Sequence, residues 1–225
     1  LVVLTPANRA NKALIVEVYT LATNLNNSIC KARIGKPGLI QFGADRIGNY
    51  PDPKASGLKE VIAKYLEVEP DQVVVSNGSD ELMDLACKAF MDPGEKALIP
   101  LPTFAQYELS CPVNSCEPLF VELKDFDWDA SGLTEATADA KRASITHPTA
   151  PTGNGIGDGG LRARLEAGKI VRVDEAYVEF AGYSAVGLLK EFKNLLILRT
   201  FSKAFGLAGL RIGYGVGDKD LVSAL

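Results

Sequence analysis

Apolar runs of strand length alternate along this chain with segments whose apolar residues recur at helical spacing. "DQVVVSN" (71–77) is short and β-branched, and predicts a strand. "GSDELMDLACKAF" (78–90) follows, with Leu82, Leu85, Ala86, Ala89 and Phe90 on one stripe, and predicts a helix. Asn77 and Ser79 are its candidate caps, Asp80 and Glu81 suit the positive end of its dipole, and "MDPGE" stops it. Next come a strand at "KALIP", a turn at Pro102, a short helix near "FAQYELS" and a strand in "EPLFVEL". "ASITH", "KIVRVDEA" and "NLLILRT" read as buried strands. "GYGVG" reads as a strand whose glycines permit close packing, and "DKDLVSAL" as a helix just begun. This alternation predicts an α/β domain with a mostly parallel sheet.

Composition narrows the function classes. The 225 residues are 47% hydrophobic and 23% charged, with a formal net charge of -4, which gives nucleic acid no basic surface. No apolar run has the length of a membrane span, and "LVVLTPANRANK" lacks the layout of a signal peptide. Cys30, Cys87, Cys111 and Cys116 form no C-x-x-C pair, and read as reduced thiols of a cytoplasmic protein. His147 is the single histidine, so neither a histidine-rich metal site nor a Ser-His-Asp triad is expected. "GIGDGG" (155–160) fits G-x-G-x-x-G, but "PTAPTGN" separates it from the preceding strand, which favours a loop over a dinucleotide site.

Polar residues gather where apolar runs finish: "SNGSDE" (76–81), "THPTAPTG" (146–153), "VDEAY" (173–177) and "RTFSK" (199–203). Ligands of open α/β sheets bind beyond the carboxyl ends of the strands, so these clusters are expected to meet in one cleft. Gly78, Ser79 and Asp80 open a helix, whose free N–H groups suit a phosphate. Thr200, Ser202 and Arg211 add hydroxyls and a guanidinium of the same taste. Asp174 ends a very apolar strand and needs a cationic or hydrogen-bonding partner. Lys203 supplies an amine able to form a Schiff base. A ligand with a phosphate, a basic ring nitrogen and an aldehyde answers all of these, and pyridoxal 5′-phosphate is such a cofactor.

"NYPDP", "NGSDELMDLACKAFMDPGE", "PTFAQY", "DFDWD", "PTGN", "VDEAYVEF" and "LRTFSKAFGLAGLRIGYG" together resemble the histidinol-phosphate aminotransferases, pyridoxal-phosphate enzymes of fold type I. The resemblance implies a three-layer α/β/α large domain over 49–225, after an N-terminal segment 1–48 that matches the family poorly. It implies that Lys203 holds the cofactor aldehyde and moves a proton, that Asp174 pairs with the pyridinium nitrogen, and that Tyr177 bonds the phenolic oxygen. Phe104 is then the aromatic plate on the ring. Gly78, Ser79, Asp80, Thr200, Ser202 and Arg211 surround the phosphate, and Tyr50 reaches the phosphate of a neighbouring subunit in a homodimer with shared active sites. Family enzymes exchange an amino group between histidinol phosphate and 2-oxoglutarate, in histidine biosynthesis.

Three departures accompany the resemblance. "HPTAPTG" stands where the family reads N-P-x-N-P-T-G, placing Ala150 at an asparagine position and His147 at another. The family's N-E-N-P-Y-G segment has no convincing counterpart, and its small C-terminal domain is expected to be absent from these residues. Alternatives on the same scaffold are threonine-phosphate decarboxylase and aromatic aminotransferase. A non-catalytic homologue is the alternative from another class.

Overall fold

The strand β6 (Leu195–Thr200) is buried along its whole length, and the architecture is arranged around it. The computed structural model describes residues 50–126, 128, 140–150 and 152–225; the expectations for 1–48 and for Cys30 lie outside them. The other strands are β1 (Val73–Asn77), β2 (Lys96–Leu101), β3 (Glu117–Glu122), β4 (Arg142–Thr146), β5 (Ile170–Asp174) and β7 (Ile212–Gly217). They form one sheet in the order β1-β7-β6-β5-β4-β2-β3. Pairing is parallel from β3 across to β6, while β7 runs antiparallel to both β6 and β1. The sheet is therefore mixed and mostly parallel.

Helices cover both faces. Leu196 and Leu198 of β6 pack with Leu82, Met83, Ala86 and Cys87 of α2 (Ser79–Phe90), and with Tyr107 and Cys111 of α3 (Gln106–Val113). Leu195 and Ile197 point the other way, into a core with Leu58 and Ile62 of α1 (Ser56–Leu66) and Leu161 and Leu165 of α4 (Asp158–Glu166). The period of two sends alternate residues to opposite layers, which is why a strand apolar over Leu195–Leu198 sits at the centre. Each fully buried Leu or Ile contributes roughly 1.5–3 kcal/mol, so β6 is a rigid platform for the turn beyond its carboxyl end. A short helix α5 (Val178–Ala181) follows β5, and α6 (Lys219–Ser223) follows β7.

The structure revises several expected boundaries. The Asn77 and Ser79 side chains do not cap α2; Gly78 is its N-cap, with no side-chain cap. The Asn77 N–H instead donates to the Glu81 carboxylate at 2.6 Å. β5 stops at Asp174, before the expected Ala176, because Asp174 Oδ1 accepts the Ala176 N–H at 2.9 Å and turns the chain. The glycine-rich stretch is loop as far as Gly157, and α4 begins at Asp158, well beyond the end of β4 at Thr146, so the strand–turn–helix of a dinucleotide fingerprint is not formed. Among the described residues no helix is long and apolar enough to cross a membrane. Cys87, Cys111 and Cys116 are free thiols, all buried.

Gly213 of β7 lies against the start of α2: a Cβ there would overlap the Gly78 carbonyl carbon and the Ser79 nitrogen. At Gly215 the nearest atom to such a Cβ is a side-chain methyl, Val74 Cγ1, at 3.0 Å. Backbone cannot yield as a side chain can. Gly213→Ala is therefore expected to cost about 1–3 kcal/mol in urea unfolding, and Gly215→Ala clearly less. Equal costs would contradict this view of the β7–α2 contact.

Candidate active site

The strand directions bring four chain segments to one edge of the sheet. In register, Thr146 lies beside Asp174, Asp174 beside Leu198, and both Thr200 and Asn77 flank the first residues of β7. Beyond that edge is a cavity of about 130 Å³. Gly78, Ser79, Asp80, Phe104, Asp174, Tyr177, Thr200, Ser202, Lys203 and Arg211 all line it.

One end suits an anion. The first turn of α2 has no side-chain cap, so its N–H groups and the positive end of its dipole are left for a ligand. Arg211 packs over Gly78 so closely that a Cβ on Gly78 would lie 2.5 Å from its Nη2. Arg211 itself has φ 52, the left-handed region, which costs a non-glycine residue of order 1–3 kcal/mol and clusters at functional sites. Its Nη2 stands 3.5 Å from the Asp80 carboxylate, both groups about half exposed. The Asp80 side chain thus faces the guanidinium, and what it offers a phosphate is its backbone N–H. Thr200 Oγ1 accepts the Ser202 N–H at 3.1 Å and shapes the turn that carries Lys203.

At the other end lies Asp174, 3% exposed. Oδ1 accepts the Ala176 N–H, and Oδ2 accepts the Tyr107 hydroxyl at 2.6 Å. Burial pushes its carboxyl above the ordinary 3.8, against the Tyr107 and Ala176 hydrogen bonds and the Arg172 charge, which pull it down. The next residue is locked as firmly. Glu175 pairs with Arg199 at 2.7 Å and accepts the Ala185 N–H at 2.6 Å, and the Ser184 hydroxyl at 3.1 Å, all in the interior. Breaking such a pair from one side costs roughly 3–5 kcal/mol, so the turn after β5 is held in place. Lys203 is exposed to the cavity, with Nζ 5.2 Å from the centre of the Tyr177 ring. Phe104 is 45% exposed and meets Tyr107 edge to face at 6.4 Å.

Tyr50 stands apart: it is wholly exposed and does not line the cavity. Ala150 does line it, and also the wall of an adjoining cleft of about 760 Å³, together with His147, Tyr177 and Tyr183. The His147 ring meets Tyr183 edge to face at 5.0 Å, and both its nitrogens are buried without a hydrogen-bond partner. Burial lowers its pKa, against a smaller upward pull from Glu175. The pattern of residues does not single out Thr146, Ala176 or Tyr107. Thr146 and Ala176 line the cavity, and Tyr107 supports it from below. The available signal for the buried support is an arginine inside the apolar strand "IVRVD".

The sequence matches the family described as aminotransferase class I and II over residues 33–225. This chain belongs to the class I and II aminotransferases. Among curated members of this family, the histidinol-phosphate aminotransferase of Chromohalobacter salexigens is 40% identical over 189 residues, covering 83% of this chain and 53% of that protein. The fold agrees with solved aminotransferase-family structures. Histidinol-phosphate aminotransferase from Sinorhizobium meliloti in complex with pyridoxal 5′-phosphate superposes with a TM-score of 0.72 and 25% identity, covering 78% of this chain and 50% of that one. L-threonine-O-3-phosphate decarboxylase from Porphyromonas gingivalis gives 0.70 and 27%, covering 81% and 55%. The chain spans about half the length of the relatives it matches.

In this aminotransferase chain the burial of Asp174 has a consequence for stability. Because its folded-state pKa lies above the ordinary 3.8, the folded protein holds that proton more tightly than the unfolded chain. Stability relative to Asp174→Asn is therefore highest in acid and falls as pH rises through the window above 3.8. Urea unfolding of both proteins across that window checks it, and a difference that does not change with pH would refute it.

Proposed function

We propose that this chain forms the cofactor-binding part of a pyridoxal-phosphate-dependent aminotransferase that takes an amino group from histidinol phosphate and gives it to 2-oxoglutarate. One observation carries the reading: Lys203, the buried Asp174 and the open start of α2 beside Arg211 share one cavity. The residues present fit the cofactor. An N-terminus without a side-chain cap, next to a guanidinium held in a strained backbone, suits its phosphate. A carboxylate fixed at the floor suits its ring nitrogen. The 40% identity to a histidinol-phosphate aminotransferase supports the substrate, which belongs to histidine biosynthesis.

When bound, the cofactor supplies an aldehyde and a ring that withdraws electrons from the substrate. The chain's residues do the rest. Ser79, Thr200, Ser202 and Arg211 would hold the phosphate and so set the ring's position. Asp174 keeps a proton at the ring nitrogen. Tyr177 and Phe104, which line the same cavity, would hold the phenolic oxygen and one ring face. The Lys203 amine would hold the cofactor aldehyde and could move a proton at the substrate Cα. Tyr50 is fully exposed and does not line the cavity, which supports a role in a neighbour's site in a homodimer. A second reading, decarboxylation of O-phosphothreonine, is favoured by the likeness to the Porphyromonas gingivalis enzyme.

Added pyridoxal phosphate is expected to give a visible absorbance band, and borohydride to leave a pyridoxyl group on Lys203 by peptide mass. Lys203→Ala gives neither. Indistinguishable cofactor binding by the two proteins, with no Lys203 adduct, would overturn the reading. Histidinol phosphate should bleach the band; release of carbon dioxide from O-phosphothreonine, with no response to histidinol phosphate, would select the second reading instead. Ala150→Asn adds a hydrogen-bond donor at the cavity wall and is expected to tighten cofactor binding about tenfold, the value of one net hydrogen bond. Unchanged affinity would remove Ala150 from the site.

A further inference from the structure

The strands β4 and β5 carry an unusual stripe on the face beneath α2 and α3. Arg142, Ser144 and Thr146 alternate along β4, and Arg172 and Asp174 along β5, with Ser144 beside Arg172 and Thr146 beside Asp174. Both arginines are 1% exposed, and neither forms an ion pair with a carboxylate among the described residues. Burying a guanidinium without a carboxylate is costly, and an apolar side chain would pack there more cheaply.

Arg172 is held from three sides. It donates to Ser144 Oγ at 2.8 Å and to the Met83 carbonyl at 3.3 Å, and its guanidinium lies 4.7 Å from the centre of the Tyr107 ring. Tyr107 is itself 1% exposed and donates its hydroxyl to Asp174 Oδ2 at 2.6 Å. The Thr146 hydroxyl stands 3.5 Å from the same phenol oxygen and 3.1 Å from Thr103 Oγ1. A cation, an aromatic ring and a carboxylate are thus stacked in series under the cavity. Arg142 lies further from Asp174 and donates to Cys87 Sγ at 2.9 Å. The Cys111 thiol and the two guanidinium charges pull the Cys87 thiol downward, against the cost of burying it. The Arg172 charge acts on Asp174.

We propose that Tyr107 and Arg172 are positioning residues for Asp174: the phenol fixes one carboxylate oxygen, and the buried guanidinium favours negative charge on the group that faces the cofactor ring. The proposal rests on the cofactor assignment above and deepens it. A carboxylate sealed from water reverts to its neutral form unless fixed dipoles and charges oppose this. Here three contributions oppose it: the Tyr107 hydroxyl, the Ala176 N–H and the Arg172 charge, while burial and the Asp80 charge on α2 push the other way. Arg172 remains a cation at neutral pH, since burial lowers its pKa only to about 10. Neither residue lines the cavity, so both act through Asp174.

The test titrates Asp174 in the whole chain without cofactor, using carboxyl-labelled aspartate and assigning the signal by its loss in Asp174→Asn. Tyr107→Phe is expected to raise the Asp174 midpoint by about one pH unit, and to weaken pyridoxal phosphate binding about tenfold. Arg172→Met raises it as well, by a smaller amount, and Arg172→Lys, which retains the charge, returns most of that shift. A Tyr107→Phe protein with a lower melting temperature but an unmoved midpoint and unchanged cofactor affinity would overturn the proposal, because a residue that only packs would behave so. If Arg172→Met does not fold, Tyr107→Phe and Arg172→Lys still decide it. The titration needs no cofactor, so its outcome stands apart from whether Lys203 is ever labelled.

Discussion

Asp174 is a carboxylate at the end of a central strand, sealed from water and held by a phenol and a backbone N–H. Much of the structure around the cavity can be traced to that one costly placement. The parallel strands β4, β5 and β6 must run together to bring Thr146, Asp174 and Thr200 to one edge. Helix α3 must lie where Tyr107 reaches the carboxylate. The turn after β5 is bolted by the Glu175–Arg199 pair, which keeps the following residues, Ala176 and Tyr177, at the cavity wall.

The two ends of the cavity use opposite electrostatics. Toward α2, uncapped N–H groups and Arg211 make a positive cup. At the floor, Asp174 makes a negative point. A ligand with an anion at one end and a basic nitrogen at the other is oriented by this pair of fields before any side chain touches its reactive centre. Lys203 enters between them from the turn after β6, a strand too deeply buried to shift. The glycines of β7 belong to the same design, since Gly213 lets that strand pass against the backbone at the start of α2.

Much of this was legible in the residues. The alternation of apolar runs located the strands, and the polar ends of "VVVSN", "VRVDEA" and "LLILRT" marked the edge beyond which the cavity lies, because parallel strands present their carboxyl ends together. Lys203, Asp174 and Arg211 stood out by type and position. The caps of α2 did not come out as expected, for a physical reason: a side-chain cap competes with an anion for the same N–H groups, and here the chain leaves them free. Tyr107 was hidden because on a short helix it is simply another large core residue, and its bond to Asp174 spans 67 positions of sequence.

By itself, then, the sequence determined the alternation of strands and helices, the mostly parallel sheet and the polar residue types gathered at one edge of it, since these depend on local periodicity and on chemistry each side chain carries alone. Only the tertiary structure decided how the carboxylate is supported. Arg172 is two residues from Asp174 and on the same strand face, yet it packs on a ring contributed by α3, and its neighbour Arg142 donates to a thiol contributed by α2. Charges in a low-dielectric interior are set by whatever surrounds them in space, and that arrangement exists only after the layers have packed.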